Sequence, residues 1–176
     1  MNTFYEKVSP LRAVRPLFLS LVIILLDQIS KALIVRSIPL HTIGASYWNG
    51  FLRIIHTRNL AIAFSLGSSL PGQVKYLLFI ILPVILLSAL LWYFLRTESF
   101  TALQRWAVAG IIGGGFGNLI DRVFRPAGVV DFIDVRFYGL FGLERWPTFN
   151  IADSSVVVAG ILLVISFILE KDEEHE

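Results

Sequence analysis

Two aspartates on either side of one predicted loop are the best candidates for chemistry in this 176-residue sequence. Asp131 follows two valines, and Asp153 opens an apolar stretch that runs to Leu169. Two carboxylates within hydrogen-bonding distance do not both ionise easily, so they share a proton. One can then act as a base on water while the other protonates a carbonyl oxygen. This is the arrangement of an aspartic protease, although Asp153 alone also fits a helix N-cap or a first-turn acid.

Other ionisable residues lie within or beside apolar segments, where a charge is costly and needs a reason. Asp27 and Lys31 are four residues apart and share a helix face, which predicts a mutually neutralising pair. Lys31 also lies near the end of its segment, from which its ammonium can extend toward the interface. Asn118, Asp121 and Arg122 end a glycine-rich segment and indicate a polar helix end stabilised by internal pairing. The four charged residues leave a second hypothesis open, a small membrane transporter or proton-conducting protein.

The sequence lacks the residue patterns that cysteine, metal-dependent and serine–lysine catalysis require. The chain has no cysteine, which excludes disulfides, thiolate metal sites and cysteine nucleophiles. His41, His56 and His175 are scattered, and no H-E-x-x-H is present, so neither a metal site nor a cofactor is predicted. Ser30 and Lys31 are neighbours on a helix and do not face each other, which argues against a serine nucleophile with a lysine base. A non-enzymatic membrane scaffold is the third hypothesis.

The composition identifies the environment in which these residues act. Hydrophobic residues make up 56% of the chain and charged residues only 16%, whereas a soluble domain carries about 25% charged residues. Five of the 13 acidic residues fall in the last seven positions, which leaves a basic body beside an acidic tail. Anionic membrane lipid explains such a body, and nothing in the sequence suggests nucleic acid as a partner.

Four apolar stretches predict a mainly α, polytopic membrane protein that forms a single domain over residues 1–176. A spanning helix needs about 20 residues, and the stretches fit that length approximately. The predicted transmembrane helices are residues 17–35, 76–95, 106–120 and 153–169.

Two long loops, residues 36–75 and 121–152, emerge on the same side of this arrangement. β-branched and aromatic residues from Tyr47 to Thr57 predict a small β-rich region in the first of them. Three basic residues precede the first helix and only Arg36 follows it. The first helix usually dominates orientation, so both termini are predicted to be cytoplasmic and the loops with their acids extracytoplasmic.

In the second loop Asp131 and Asp134 have an odd separation, so strand alternation lets at most one of them enter a site.

Five segments in order, from the first span to the fourth, resemble the lipoprotein signal peptidase family, also called type II or prolipoprotein signal peptidases. They are Asp27-Gln28-Ile29-Ser30-Lys31, Asn59-Leu60-Ala61-Ile62-Ala63-Phe64-Ser65, Gly113-Gly114-Gly115-Phe116-Gly117-Asn118-Leu119-Ile120-Asp121-Arg122, Val129-Val130-Asp131-Phe132-Ile133-Asp134 and Phe149-Asn150-Ile151-Ala152-Asp153-Ser154. Each segment is weak evidence alone, and the five together cover nearly the whole chain. Two departures from the family pattern are Ala61, where the family usually has glycine, and a longer segment between the fourth and fifth motifs.

The resemblance implies an aspartic protease of the bacterial cytoplasmic (inner) membrane that works without a cofactor. Its implied partners are membrane lipid and a prolipoprotein signal peptide, cleaved at the outer face before a lipobox cysteine that carries diacylglycerol. The resemblance assigns the catalytic dyad to Asp131 and Asp153. It assigns substrate-binding or supporting positions to Asp27, Lys31, Asn59, Asn118, Asp121, Arg122 and Asn150.

Overall fold

The computed structural model describes residues 14–59 and 70–173, and Ala61, with most of the second motif, lies outside these ranges. Four long helices and a three-stranded sheet make up the described part of the chain. They are α1 (Leu17–Ser37), β1 (Ile43–Tyr47), β2 (Leu52–Asn59), α2 (Gly72–Arg96, with a π-helical turn at Leu77–Ile81), α3 (Ala102–Phe124), β3 (Val129–Val135), a 3-10 turn (Leu140–Gly142) and α4 (Ile151–Glu173).

Three of these helices, α1, α2 and α4, are long and apolar enough to cross a membrane. The prediction of a mainly helical, multi-pass membrane protein is therefore confirmed, whereas the count of four spans stays a prediction. α3 is less apolar because it carries the glycine run and charged residues near both ends. It packs against α1, α2 and α4 and is largely buried among them, so fewer of its side chains need to be hydrophobic.

Glycines in α3 allow the neighbouring helices to approach its backbone closely. A Cβ atom at Gly114 would collide with the carbonyl oxygen of Ala152 in α4, and one at Gly117 would lie 2.9 Å from a carboxylate oxygen of Asp27 in α1. Small residues serve this purpose in membrane helix pairs, because van der Waals packing of close backbones holds the helices together. The glycine run thus brings the polar residues of α1 and the start of α4 to the same region of α3.

The sheet is antiparallel, in the order β1-β2-β3. The predicted β-rich region from the first long loop holds for β1 and β2, and the strand alternation assumed around Asp131 and Asp134 holds for β3. The sequence did not predict that β3, which comes from the second loop, joins the same sheet. Val130 and Phe132 of β3 are buried against Ile34 of α1, so hydrophobic contact holds the third strand at the end of that helix. The sheet thereby positions Asp131, which lies opposite Thr57 of β2.

Candidate active site

Asp131 and Asp153 line the same cavity, which has a volume of about 670 Å³. Asp131 is contributed by the buried strand β3, and Asp153 by the first turn of α4. The cavity lies between α2, α3 and α4, with the two acids at its polar end. Its apolar wall consists of Pro83, Leu86, Leu87, Val129, Trp146, Pro147, Phe149, Val156, Val157 and Val158.

Asn150 contacts both acids and is the N-cap of α4. Its side-chain Nδ2 donates a hydrogen bond of 2.8 Å to Oδ1 of Asp131. Its backbone N–H donates to Oδ2 of Asp153 at 3.1 Å, and its Oδ1 accepts from the backbone N–H of Asp153 at 2.9 Å. This reciprocal pair is a capping box, so Asp153 is a first-turn acid that also faces the cavity.

Two further asparagines hold the outer oxygens of the acids. Nδ2 of Asn118 donates to Oδ1 of Asp153 at 2.7 Å. Nδ2 of Asn59 donates to Oδ2 of Asp131 at 3.3 Å. Each carboxylate therefore accepts hydrogen bonds at both of its oxygens, which fixes its orientation toward the cavity.

The environment of Asp131 favours a neutral carboxyl group. Asp131 is only 4% exposed to solvent. The pKa of Asp131 is raised from 3.8 to about 7, chiefly by burial and next by the negative charge of Asp153, while the hydrogen bonds from Asn59 and Asn150 oppose the rise. At a pH below about 7, Asp131 can therefore donate a proton.

A buried ionic cluster of Asp27, Lys31 and Asp121 lies beneath the two acids. Nζ of Lys31 is 2.8 Å from Asp27 and 3.2 Å from Asp121, and all three side chains are fully buried. The predicted Asp27–Lys31 pair is present, but the expectation that Lys31 extends toward the interface is wrong. Its ammonium instead donates to Oδ1 of Asn118 at 2.9 Å, because two carboxylates and an amide oxygen surround it inside the protein.

The same cluster holds the backbone next to each acid. Oδ1 of Asp27 accepts a hydrogen bond from the backbone N–H of Ala152 at 3.0 Å. Oδ2 of Asp121 accepts one from the backbone N–H of Val130 at 3.0 Å. Since these two residues directly precede Asp153 and Asp131, the cluster fixes the relative position of α4 and β3.

Comparisons with known proteins assign the chain to one family. The profile of the family described as Signal peptidase (SPase) II matches residues 19–169 of the chain. The chain belongs to the signal peptidase II family. The resemblance inferred from the five motifs is thus confirmed.

Relatives and solved structures extend this match over most of the chain. The Lipoprotein signal peptidase of Treponema pallidum is 48% identical over 158 residues, which are 90% of this chain and 85% of that protein. The one of Borrelia duttonii is 44% identical over 92% of this chain and 94% of that protein. A solved bacterial membrane enzyme superposes with a TM-score of 0.75 at 29% identity, over 90% of each chain. A second gives 0.73 at 28% identity, over 94% of this chain and 97% of that one.

Arg122 of this signal peptidase II family member lines the cavity beside the acids. The structure gives it no hydrogen bond or ion pair within residues 14–59 and 70–173, so its guanidinium remains available to a molecule in the cavity. The predicted internal pairing at this helix end instead joins Asp121 to Arg125, with 3.1 Å between Oδ1 and Nη1.

Two residues of this region were missed by the sequence analysis. Gln28 donates to the carbonyl oxygen of Gly117 at 3.0 Å and to Asp121 at 3.1 Å, which ties α1 to α3. Arg125 is four residues after Asp121, and that helical spacing was the signal that could have revealed the pair.

Asp134 does not line the catalytic cavity, whereas Asp131 does. This agrees with the expectation from their odd separation that at most one of the two enters the site. The carboxylate of Asp134 accepts from Nε of Arg145 at 2.6 and 2.8 Å, and this pair braces the far end of β3. Within the described residues there is no group of three or more histidine, aspartate and glutamate side chains that could hold a metal ion.

Proposed function

We propose that the protein is a membrane aspartic endopeptidase that removes signal peptides from diacylglyceryl-modified prolipoproteins by cleaving before the lipobox cysteine. One observation carries this proposal: Asp131 and Asp153 line one cavity, are both bound by Asn150, and include a carboxyl group with a pKa of about 7. Relatives named Lipoprotein signal peptidase support the substrate class.

The proposed reaction uses a water molecule and no covalent intermediate. The water oxygen bonds to the peptide carbonyl carbon while Asp153 takes a proton from that water. At the same time Asp131 gives its proton to the carbonyl oxygen. As the tetrahedral intermediate collapses, the proton on Asp153 passes to the leaving amine and the C–N bond breaks. Asp131 recovers its proton from the new carboxyl group. Each positioned acid or base of this kind contributes roughly 10²–10⁴-fold to the rate.

The apolar wall of the cavity supports a lipid-bearing substrate. Leu86 of α2 and Val157 of α4 line the cavity and are also 59% and 61% exposed on the outside of the helix bundle. The cavity therefore borders the surface of helices that meet lipid. Acyl chains of a diacylglyceryl cysteine would lie along this wall and enter sideways from the bilayer.

For the topology we propose four spans in the bacterial inner membrane, with both termini in the cytoplasm and the acids at the outer face. The 23 residues of α3 span about 34 Å at 1.5 Å per residue, which suffices for a hydrocarbon core of about 30 Å. The exposed aromatic side chains of Trp48, Tyr138 and Phe141, in the loops at the ends of the strands, suit the headgroup region.

No observation favours the transporter hypothesis. A proton relay needs ionisable groups at several depths of the membrane. Here Asp27, Lys31 and Asp121 are gathered in one cluster. α2 has no aspartate, glutamate, lysine, arginine or histidine between residues 76 and 95.

The proposal is tested by the release of signal peptide from a purified precursor. We expect the wild-type protein to cleave a precursor with a diacylglyceryl cysteine before that cysteine. The same precursor with an unmodified cysteine is the matched control, and we expect it to be cleaved far more slowly because it lacks the chains that fill the apolar wall. Failure to cleave either precursor would reject the peptidase, and equal rates would reject the role given to the lipid.

A further inference from the structure

A second cavity of about 230 Å³ lies between the start of α2 and the end of α3. It adjoins the catalytic cavity, because Asn59 and Arg122 line both. Neither Asp131 nor Asp153 lines it. Its described lining consists of Asn59, Lys75, Tyr76, Phe79, Ile80, Arg122, Arg125, Pro126 and Gly128.

The polar side of this second cavity is strongly basic. Lys75, Arg122 and Arg125 line it, and no acidic residue is among its described lining residues. A fourth cation, Arg58, donates from Nη1 to the carbonyl oxygen of Gly128 at 3.4 Å. Burial lowers the pKa of Arg58, and the nearby positive charge of Arg125 lowers it further. The positive charges of Arg58 and Arg125 repel each other, so an anion bound between them would be stabilised.

Arg125 is not fully satisfied by protein groups. Its Nη1 lies 3.1 Å from Oδ1 of Asp121, yet this buried nitrogen has no hydrogen-bond partner in the described structure. The carboxylate of Asp121 is already shared with Lys31. A planar guanidinium with free N–H groups is well suited to an oxygen-rich anion such as a phosphate.

The opposite side of the cavity is apolar. Phe79 and Ile80 form this wall, while Tyr76 is 58% exposed beside them at the start of α2. A tyrosine at the end of a spanning helix is typical of the headgroup level. The basic side therefore lies where a phosphate group would be found, and the apolar wall where its attached hydrocarbon would continue.

We propose that this cavity, lined by Lys75 and Arg125 with Arg58 held beside it at Gly128, binds the phosphodiester of an anionic phospholipid next to the catalytic cavity. A diacylglyceryl cysteine contains no phosphate, so the site is distinct from the one proposed for the substrate. The inference does not depend on the proposed reaction, since it concerns binding of a membrane lipid.

Lipid retention by the purified full-length protein tests the site. The protein is transferred from mixed micelles of phosphatidylglycerol or phosphatidylcholine into detergent, and bound lipid is counted by native mass spectrometry. We expect wild-type protein to retain one phosphatidylglycerol in preference to phosphatidylcholine. The double variant Arg58→Gln/Lys75→Gln should retain it about 25-fold less tightly, at about fivefold for each basic residue. Neither residue belongs to the proposed catalytic groups.

A matched control removes the same charge elsewhere on the same face. Arg36→Gln/Arg53→Gln lies outside the lining of the cavity and should leave retention unchanged. An equal loss of phosphatidylglycerol retention in this control would show that general surface charge causes the effect, and it would reject the proposed site. Unchanged retention in the first variant, equal retention of phosphatidylcholine, or full displacement by inorganic phosphate alone would also overturn it. Should the double variant fail to fold, Lys75→Gln alone is expected to weaken retention about fivefold, and no change would reject the proposal.

Discussion

Asp131→Asn and Asp153→Asn are each expected to lower the kcat for cleavage of a lipidated precursor by about 10²–10⁴-fold. Asparagine has nearly the same shape as aspartate, but it can neither take a proton from water nor give one to a carbonyl oxygen. The measurement is signal-peptide release by purified protein under saturating substrate, with folding checked by the apparent midpoint of thermal unfolding. KM should change much less, because neither acid is needed to hold the acyl chains.

Asp134→Asn is the matched control for the dyad variants. Asp134 lies on the same strand as Asp131, three residues further on, and pairs with Arg145 outside the cavity. Its replacement should leave kcat nearly unchanged and cost only stability. Comparable loss of kcat in Asp134→Asn, or substantial turnover by folded Asp131→Asn or Asp153→Asn, would show that the two acids are not a catalytic pair.

Lys31→Met should destabilise the protein by roughly 3–5 kcal/mol, because removing one partner of a buried ionic cluster leaves the others uncompensated. The ammonium lies between Asp27 and Asp121, and none of the three side chains is exposed. Activity should fall together with stability, since these carboxylates hold the backbone next to both proposed catalytic acids. The apparent unfolding midpoint and the half-life of activity at a fixed temperature in detergent report the two effects.

Two further variants separate the effect of charge from that of packing. Asp27→Asn combined with Lys31→Met removes one uncompensated charge and keeps the oxygen that accepts from Ala152, so it should recover part of the lost stability. Glu144→Gln breaks an ion pair whose glutamate side chain is 64% exposed, and such surface pairs contribute only about 0–1 kcal/mol. A Lys31→Met protein as stable as Glu144→Gln would contradict the role given to the cluster.

Local sequence rules predicted which residues would come together at the candidate site, while the catalytic roles of these residues stay predictions. Asp131 and Asp153 were selected because a scarce charge in an apolar chain needs a reason, and the structure brings both to one cavity. The Asp27–Lys31 pair followed from helical spacing alone. Such local rules depend on a few neighbouring residues and survive without knowledge of the tertiary structure.

Long-range contacts could not be derived in this way. Nothing in the sequence of β3 indicates that it pairs with β2, more than 65 residues earlier. The burial of Lys31 was also missed, because it depends on Asn118 and Asp121 of another helix. The same holds for Asn150, whose contact with Asp131 requires the start of α4 to lie against the sheet.

The pH dependence of kcat/KM with the lipidated precursor tests most directly the claim that Asp131 and Asp153 share one proton. The pKa of Asp131 is raised to about 7, so this carboxyl keeps its proton below that pH and loses it above. Once both acids are ionised, none is left to protonate the carbonyl oxygen. We therefore predict that kcat/KM falls about tenfold per pH unit above pH 7, in protein that remains folded. A rate that instead rises through pH 7 to a plateau at alkaline pH would contradict the shared-proton dyad.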